Sequence, residues 1–342
     1  MSAIKKITLA LDVHGGDFGP AVTVPAALDV LAGHPQVEIL LCSMDADLRL
    51  LLDQKTQDAG GSGALERLHI INATHALTAD ARPLEALRRG QGSSLWLALE
   101  QVANGAADAC VSAGSTAAML ALGGKLLGML PGIERPALMS RIPSATGHTN
   151  LLDLGANLNV SATQLVQFAI MGSVAGIAEG PEPAKIALLN VGHEDSKGSA
   201  VLRAAHNLLN ELPLNYTGFI EGHDIFSGTA DVAVCDGFSG NLILKSSEGL
   251  ARMFFRQLEL ALHSSTRAKA GAALARPALQ RRLARFEPSK HNGAPLLGLR
   301  GVVVKSHGNA SREAMGQAIL EALEEAQRRV PRLIALKVQE YL

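Results

Sequence analysis

Residues 7–20 read ITLALDVHGGDFGP: an apolar run that stops at Asp12, a glycine-rich turn, and a proline suited to the first turn of a helix. Residues 110–124, CVSAGSTAAMLALGG, repeat the plan with a short run, a turn of small residues and a helix that begins at once. Working outward, short apolar runs at 37–42, 69–72, 109–112, 151–154, 186–191, 232–235 and 302–305 alternate with helical patterns. That alternation predicts βαβ units and an α/β fold with a mainly parallel sheet flanked by helices. Function is then expected in the loops after the carboxyl ends of the strands. The chain is read as one α/β catalytic unit over residues 1–342, with two lobes around a cleft.

One region departs from this rhythm. Residues 239–286 are helical in pattern throughout, long enough for two helices joined near Ser264 and Ser265. A helical insertion of this kind, taken as a projection over residues 239–290, packs on a twin subunit or serves as a docking element. Between Ser264 and Lys290 lie Arg267, Lys269, Arg276, Arg281, Arg282, Arg285 and Lys290 against Glu287, a local balance of +6. Leu274, Leu279, Leu283 and Phe286 interleave with these charges. The pattern is that of an amphipathic helix meeting a membrane surface or an acidic protein, with a solvated helix face as the competing reading. Arg276, Arg281, Arg282 and Arg285 are the contact residues expected there.

With 342 residues, 47% of them hydrophobic, the chain can bury a large core. Its 31 Lys and Arg nearly cancel 32 Asp and Glu, so there is no global attraction for nucleic acid or an anionic membrane. Cys42, Cys110 and Cys235 sit far apart in apolar runs without metal-ligand spacing, and are read as reduced core residues of a cytoplasmic protein. MSAIKKITLALD is read as leading into a first strand rather than as a signal peptide. The uncharged stretch 154–178 is crowded with Asn, Ser, Thr and Gln in its first half and is read as a buried helix rather than a membrane span. Gly60, Gly61, Ser62 and Gly63 read as a surface turn.

Four neighbourhoods carry candidate chemistry. In the first turn, Asp12 and Asp17 flank Gly15 and Gly16; carboxylates repel a dinucleotide's phosphates, and the spacing fails the dinucleotide glycine pattern. The acids there either orient a donor or act as turn and cap residues. In the second, Ser112, Gly114, Ser115 and Thr116 bring small residues and helix N–H groups together, suited to an anion or a developing oxyanion, or to plain capping. The third joins LLDLGANLN, with Asp153 and Asn157, to Asp236, Gly237, Ser239, Gly240 and Asn241, which open the long helix with Lys245 one turn inside. The fourth, GVVVKSHGNAS at 301–311, delivers Lys305, Ser306, His307 and Gly308 before a helix expected near Asn309. A lysine and a histidine beside helix N–H groups form a phosphate cradle, with His307 as a proton carrier.

The segments LDVHGGDFGP, SAGSTAAMLALG, PGIERPAL, LLDLGAN, IFSGTADVAVCDGFSGN and GAPLLGLRGVVVKSHG together resemble the ordered motif series of the bacterial phosphate acyltransferase family, known as PlsX, from Ile7 to about Val330. The sequence departs from that series at His14, Ser115, Ala117 and His193. The resemblance implies transfer of an acyl group from acyl carrier protein (ACP) to inorganic phosphate, for phospholipid synthesis. It also implies a fold similar to isocitrate and isopropylmalate dehydrogenases and to phosphotransacetylase, and a homodimer. Family members are cytoplasmic and peripherally membrane-associated, and they supply a membrane glycerol-3-phosphate acyltransferase.

On that reading no cofactor or metal is expected, and no Ser or Cys nucleophile is required, because phosphate is already anionic and attacks a thioester directly. The sequence offers no nucleophile elbow and no Cys/His pair. Lys305 and His307 are expected to hold phosphate, with Lys245 or Arg135, while N–H groups around residues 114–116 polarise the thioester carbonyl. Asp236 and Asn241 are expected to position donors. A nicotinamide-dependent dehydrogenase and a non-catalytic ACP-binding or membrane scaffold are the rival classes.

Overall fold

The computed structural model describes residues 6–44, 48, 63–176, 183–283, 290 and 292–342, with side chains for all of these except 279–283. Its strands are β1 (Ile7–Asp12), β2 (Val37–Ser43), β3 (Leu68–Asn72), β4 (Ala109–Ser112), β5 (Ala137–Ser144), β6 (Gly147–Leu152), β7 (Ile186–Leu189), β8 (Tyr216–Ile220), β9 (Val232–Val234), β10 (Ala294–Leu297) and β11 (Val302–Lys305). The helices are α1 (Pro20–Gly33), α2 (Pro83–Arg89), α3 (Ser94–Ala103), α4 (Thr116–Leu126), α5 (Ala162–Ala175), α6 (Ala200–Asn210), α7 (Asp224–Ser227), α8 (Gly237–His263), α9 (Thr266–Leu283), α10 (Arg312–Arg328) and α11 (Val330–Tyr341).

The strands form one sheet in the order β3-β2-β1-β4-β11-β10-β5-β6-β9-β7-β8. Both wings are parallel, as expected, but β11–β10, β10–β5 and β5–β6 pair antiparallel. The centre of the sheet is therefore antiparallel and the two wings run in opposite directions. Strands β5, β8 and β10 escape the sequence pattern for local reasons. The first is interrupted by Ser140, Arg141 and Pro143, the second by Gly218, and the third is a short run opened by Ala and Pro.

Both faces of β1 are covered, which is why it reads as an unbroken apolar run. Leu9 and Leu11 pack with Val24 and Leu31 of α1 and Ile319 and Leu323 of α10. Ala10 faces the opposite layer, with Leu95, Trp96 and Leu99 of α3 and Met119 and Leu122 of α4. In the other wing Phe168, Ile170 and Met171 of α5 meet Leu152, Ile186 and Val232, closed by Val330 and Ile334 of α11. Each fully buried side chain of this size contributes about 1.5–3 kcal/mol.

Of the uncharged stretch 154–178, Ala162–Ala175 form the helix α5, buried along most of its length, whereas residues 154–161 are irregular chain leading up to its Ser161 cap; the three cysteines are free and buried. Helices α8 and α9 change over at Ser264 and Ser265, as the pattern predicts. Beyond Gly240 α8 has no fully buried residue. Arg276 is exposed on α9, whereas the side chains of Arg281 and Arg282, the whole of Arg285, and Gly60, Gly61 and Ser62 lie outside the described residues. Among the described residues no helix is long and apolar enough to cross a membrane. The helix expected near Asn309 begins at Arg312, because the Ser311 hydroxyl accepts from the Ala314 N–H and caps it there.

Candidate active site

Strands β1, β4 and β11 lie side by side, and their register sets Asp12 opposite Ser112 and Ser112 opposite Lys305. Three chemically distinct side chains therefore leave the sheet in one line at its carboxyl end. Ser112 is buried; its hydroxyl donates to Asp12 Oδ2 at 2.6 Å and accepts from the Gly114 N–H at 2.9 Å. Burial pushes the Asp12 carboxyl up, against hydrogen bonds that pull it down. Its Oδ1 is buried with no hydrogen-bond partner among the described residues.

The turns over this line fit only without side chains. A Cβ on Gly15 would stand 2.7 Å from both Asp12 Oδ2 and the Gly114 nitrogen, and one on Gly16 would stand 2.6 Å from the Gly308 carbonyl oxygen. Gly16 also has φ +81, in the left-handed region that favours glycine. The Asp17 N–H donates to the Gly308 carbonyl at 2.8 Å, locking the first and last turns together. His14 turns the other way, with Nε2 2.8 Å from Ser43 Oγ.

Lys305 reaches over the end of β4, where its Nζ donates to the Ala113 carbonyl at 3.2 Å and to the Ser306 carbonyl. Burial lowers its pKa to about 8; Asp12 pulls against that change and Lys245 adds to it. His307 presents a half-exposed ring whose proton affinity is lowered, first by partial burial and then by Lys245 and Lys305, against the pull of Glu248. Its backbone is fixed from behind: Asn292 Oδ1 accepts from the His307 N–H at 3.0 Å, while Asn292 Nδ2 donates to Ser306 Oγ at 2.8 Å.

Helix α4 starts beside this cluster. The Ser115 hydroxyl caps it, accepting from the Ala118 N–H at 3.3 Å, and donates to the Ala81 carbonyl at 2.9 Å. That occupies the Ser115 side chain locally, while the N–H groups of Thr116 and Ala117 have no partner within the helix. Cations of adjustable charge and unpaired N–H groups together can bind and polarise an anion.

The third neighbourhood assembles separately. Asp153 is fully buried; Oδ1 accepts from the Leu138 and Ala156 N–H groups, and Oδ2 from the Asn157 N–H at 2.6 Å and Nδ2 at 3.0 Å. Burial raises its pKa and these hydrogen bonds oppose the rise. Asn157 also donates to the Pro136 carbonyl at 2.8 Å, next to exposed Arg135. Asp236 caps α8, its two oxygens taking the Ser239 N–H at 2.8 Å and hydroxyl at 3.0 Å. Gly237 and Gly240 let the helix start pack against Asp153, and Asn241 lies against Gly155. With about 1.5 Å of rise per residue, Lys245 lies roughly 13 Å along the helix from Asp236. This group therefore roots α8, and the helix brings Lys245 and Glu248 to the Lys305 cluster.

Sequence reasoning missed Glu248 and Asn292. Glu248 carries one local signal, its three-residue spacing from Lys245; nothing around Asn292 marks it. Among the described residues no group of three or more His, Cys, Asp and Glu side chains is arranged to hold a metal.

A lysine of depressed proton affinity, an imidazole and the first N–H groups of a helix lie at adjoining strand ends of an α/β fold, an arrangement suited to an anion. The fold matches a phosphotransacetylase from Streptococcus pyogenes over 94% of both chains, with a TM-score of 0.60 and 18% identity. It also matches 4-hydroxythreonine-4-phosphate dehydrogenase from Klebsiella pneumoniae over 96% of this chain and 100% of that one, with a TM-score of 0.53 and 15% identity. At such identities the likeness concerns the fold alone. The chain belongs to the family described as "Fatty acid synthesis protein", which matches residues 7–333. Relatives named phosphate acyltransferase include that of Shewanella amazonensis, 47% identical over 98% of both chains. The relative from Halorhodospira halophila is 44% identical over 98% of this chain and 97% of its own. They carry the name of the family that the ordered motifs resemble.

Proposed function

We propose that this enzyme transfers a long-chain fatty acyl group from acyl carrier protein to inorganic phosphate, reversibly, yielding an acyl phosphate for phospholipid synthesis. The observation that carries the reading is the line Asp12–Ser112–Lys305 at the strand ends, with the free start of α4 on one side and Lys245 and His307 on the other. Phosphate bound between Lys305, Lys245 and His307 is held against the thioester carbonyl, which points at the N–H groups of Thr116 and Ala117. A phosphate oxygen forms a bond to the carbonyl carbon, and negative charge moves to the carbonyl oxygen and is stabilised there. Collapse breaks the C–S bond, and the proton of the attacking phosphate passes by way of His307 to the departing thiolate. Burial lowers the Lys305 pKa only to about 8, so the amine stays mainly protonated at neutral pH, and bound phosphate would hold that proton on it.

The Asp153, Asn157, Asp236, Ser239 and Asn241 group supports this centre by fixing the root of α8, and the exposed Arg135 contacts the acyl donor. On this reading the two wings of the sheet act as two lobes around the cleft, in the manner of isocitrate and isopropylmalate dehydrogenases. The basic projection, with Arg276, Arg281, Arg282 and Arg285, meets acidic ACP or the anionic membrane surface and pairs with a second copy of the chain. A cytoplasmic enzyme peripherally associated with the membrane can pass its labile product to a membrane glycerol-3-phosphate acyltransferase.

The deciding experiment incubates purified protein with palmitoyl-ACP and labelled phosphate, and looks for a labelled product that hydroxylamine destroys. Formation of that product establishes the reaction. Its absence, with ACP shown intact, leaves a non-catalytic ACP-binding protein as the better reading.

A further inference from the structure

Glu248 lies one turn beyond Lys245 on α8, and its carboxylate is approached by three basic groups. Lys245 Nζ stands 3.1 Å from Oε2, Arg252 Nη2 3.9 Å from Oε2, and His307 Nε2 3.9 Å from Oε1. Lys245 and Arg252 are neighbours on the same helix, at the i,i+3 and i,i+4 spacings that commonly pair. His307 is different, because it arrives from the turn after β11, about sixty residues further along the chain.

The His307 main chain needs no help from Glu248. Its N–H is held by Asn292 and its carbonyl accepts from the Ala310 N–H at 3.2 Å. What remains open is the rotation and charge of the ring. The charged groups acting on it are Glu248 and Lys245 from α8 and Lys305 from β11; the lysines both disfavour a proton on the imidazole, and Glu248 favours one.

We propose that Glu248 is a positioning residue for acyl transfer: its carboxylate orients the His307 ring and preserves its capacity to carry the proton that the departing thiolate takes. The proposal rests on the reading of Lys305 and His307 as the phosphate site. It makes a prediction opposite in sign to that of a bystander acid. A bystander carboxylate near bound phosphate only repels it, so neutralising it would lower the phosphate KM and leave kcat alone. Neutralising a positioning carboxylate lowers kcat.

The test compares the full-length wild type with Glu248→Gln and Glu248→Asp. Steady-state kcat and phosphate KM are measured with an acyl-ACP donor from about pH 6 to 9, and the His307 ring is titrated by NMR, its signal assigned from its loss in His307→Gln. Expected in Glu248→Gln are a fall in kcat of about tenfold, no rise in phosphate KM, and titration of His307 at lower pH than in the wild type. Glu248→Asp should recover part of kcat. An unchanged kcat, an unmoved His307 titration, or a fall in kcat that tracks a lowered Tm and is not recovered by Asp would each overturn the proposal. If the wild type itself forms no acyl phosphate, the functional reading fails, and the NMR arm still decides whether Glu248 governs the ring.

Discussion

Gly240 packs so tightly on Asp153 that a Cβ added to it would stand 1.9 Å from the Asp153 carbonyl oxygen. The contact joins the turn after β6 to the first turn of α8, the helix that carries Lys245 and Glu248 to the site. Backbone on one side and backbone on the other leave nothing soft to yield. Gly240→Ala is therefore expected to lower stability by about 1–3 kcal/mol, with kcat/KM for phosphate falling as α8 shifts. Chemical denaturation and steady-state kinetics check both, and an unchanged denaturation midpoint would show that the contact relaxes freely.

Lys305 supplies the second prediction. Its pKa of about 8 means that the cation is lost as pH rises through that value, so kcat/KM for phosphate should fall above about pH 8. Lys305→Ala removes a charge-assisted contact of about 1.5–3 kcal/mol, and should reduce kcat/KM by about 10- to 100-fold and flatten this alkaline limb. A pH-rate profile of the two proteins reads both effects. Survival of the limb in Lys305→Ala would assign it to another group.

Asp12 acts on the same lysine from below the turn, its negative charge favouring the protonated amine. In Asp12→Asn that support is gone while an amide oxygen can still accept from Ser112. The alkaline limb should therefore move to lower pH, and activity at pH 8 should suffer more than activity at pH 6.5. Equal losses at both would mean that Asp12 matters for shape and not for the charge of Lys305.

Glu325 of α10 is a stability matter away from the site. Burial and then Glu321 raise its pKa from 4.5 to about 8, against Arg328 and Arg141, and its Oε1 has no hydrogen-bond partner among the described residues. Between those two values the folded chain holds a proton that the unfolded chain releases, so stability falls as pH rises from about 4.5 to about 8. Glu325→Gln mimics the neutral acid and should stabilise the protein by about 2 kcal/mol at pH 8, with little gain at pH 4.5. Unfolding curves at the two pH values decide it, and a destabilised variant at pH 8 would mean that the electrostatic attraction of Arg141 and Arg328 outweighs burial.

Much of the fold was legible because its signals are local. An apolar run, a glycine-containing turn and a helix start follow one another at β1, β4 and β11, so each of the three turns stands out locally as a site candidate. The break at Ser264 and Ser265 could be read for the same reason. Legibility stopped where a strand lacks its own signal. Strands β5 and β10 turn the centre of the sheet antiparallel, yet β5 carries Arg141 and Pro143 and β10 is four residues long; their pairing partners supply the missing order. The sequence likewise marks Asp153 and Asp236 as chemically interesting acids, whereas in the structure their oxygens take N–H and hydroxyl donors of neighbouring residues and hold the root of α8.

The α/β class, the strand–turn–helix units, the residue types available to hold an anion and the ordered motifs that mark the family are all written along the chain. Each of these depends on residues near one another along the chain, where propensity and patterning act. Folding in three dimensions sets Ser112 beside Lys305, nearly two hundred residues away, and lets a helix rooted on the other wing bring Glu248 within 3.9 Å of His307. Such contacts are chosen by sheet order and by where a long helix packs, and those follow from burying the apolar faces of all the elements together.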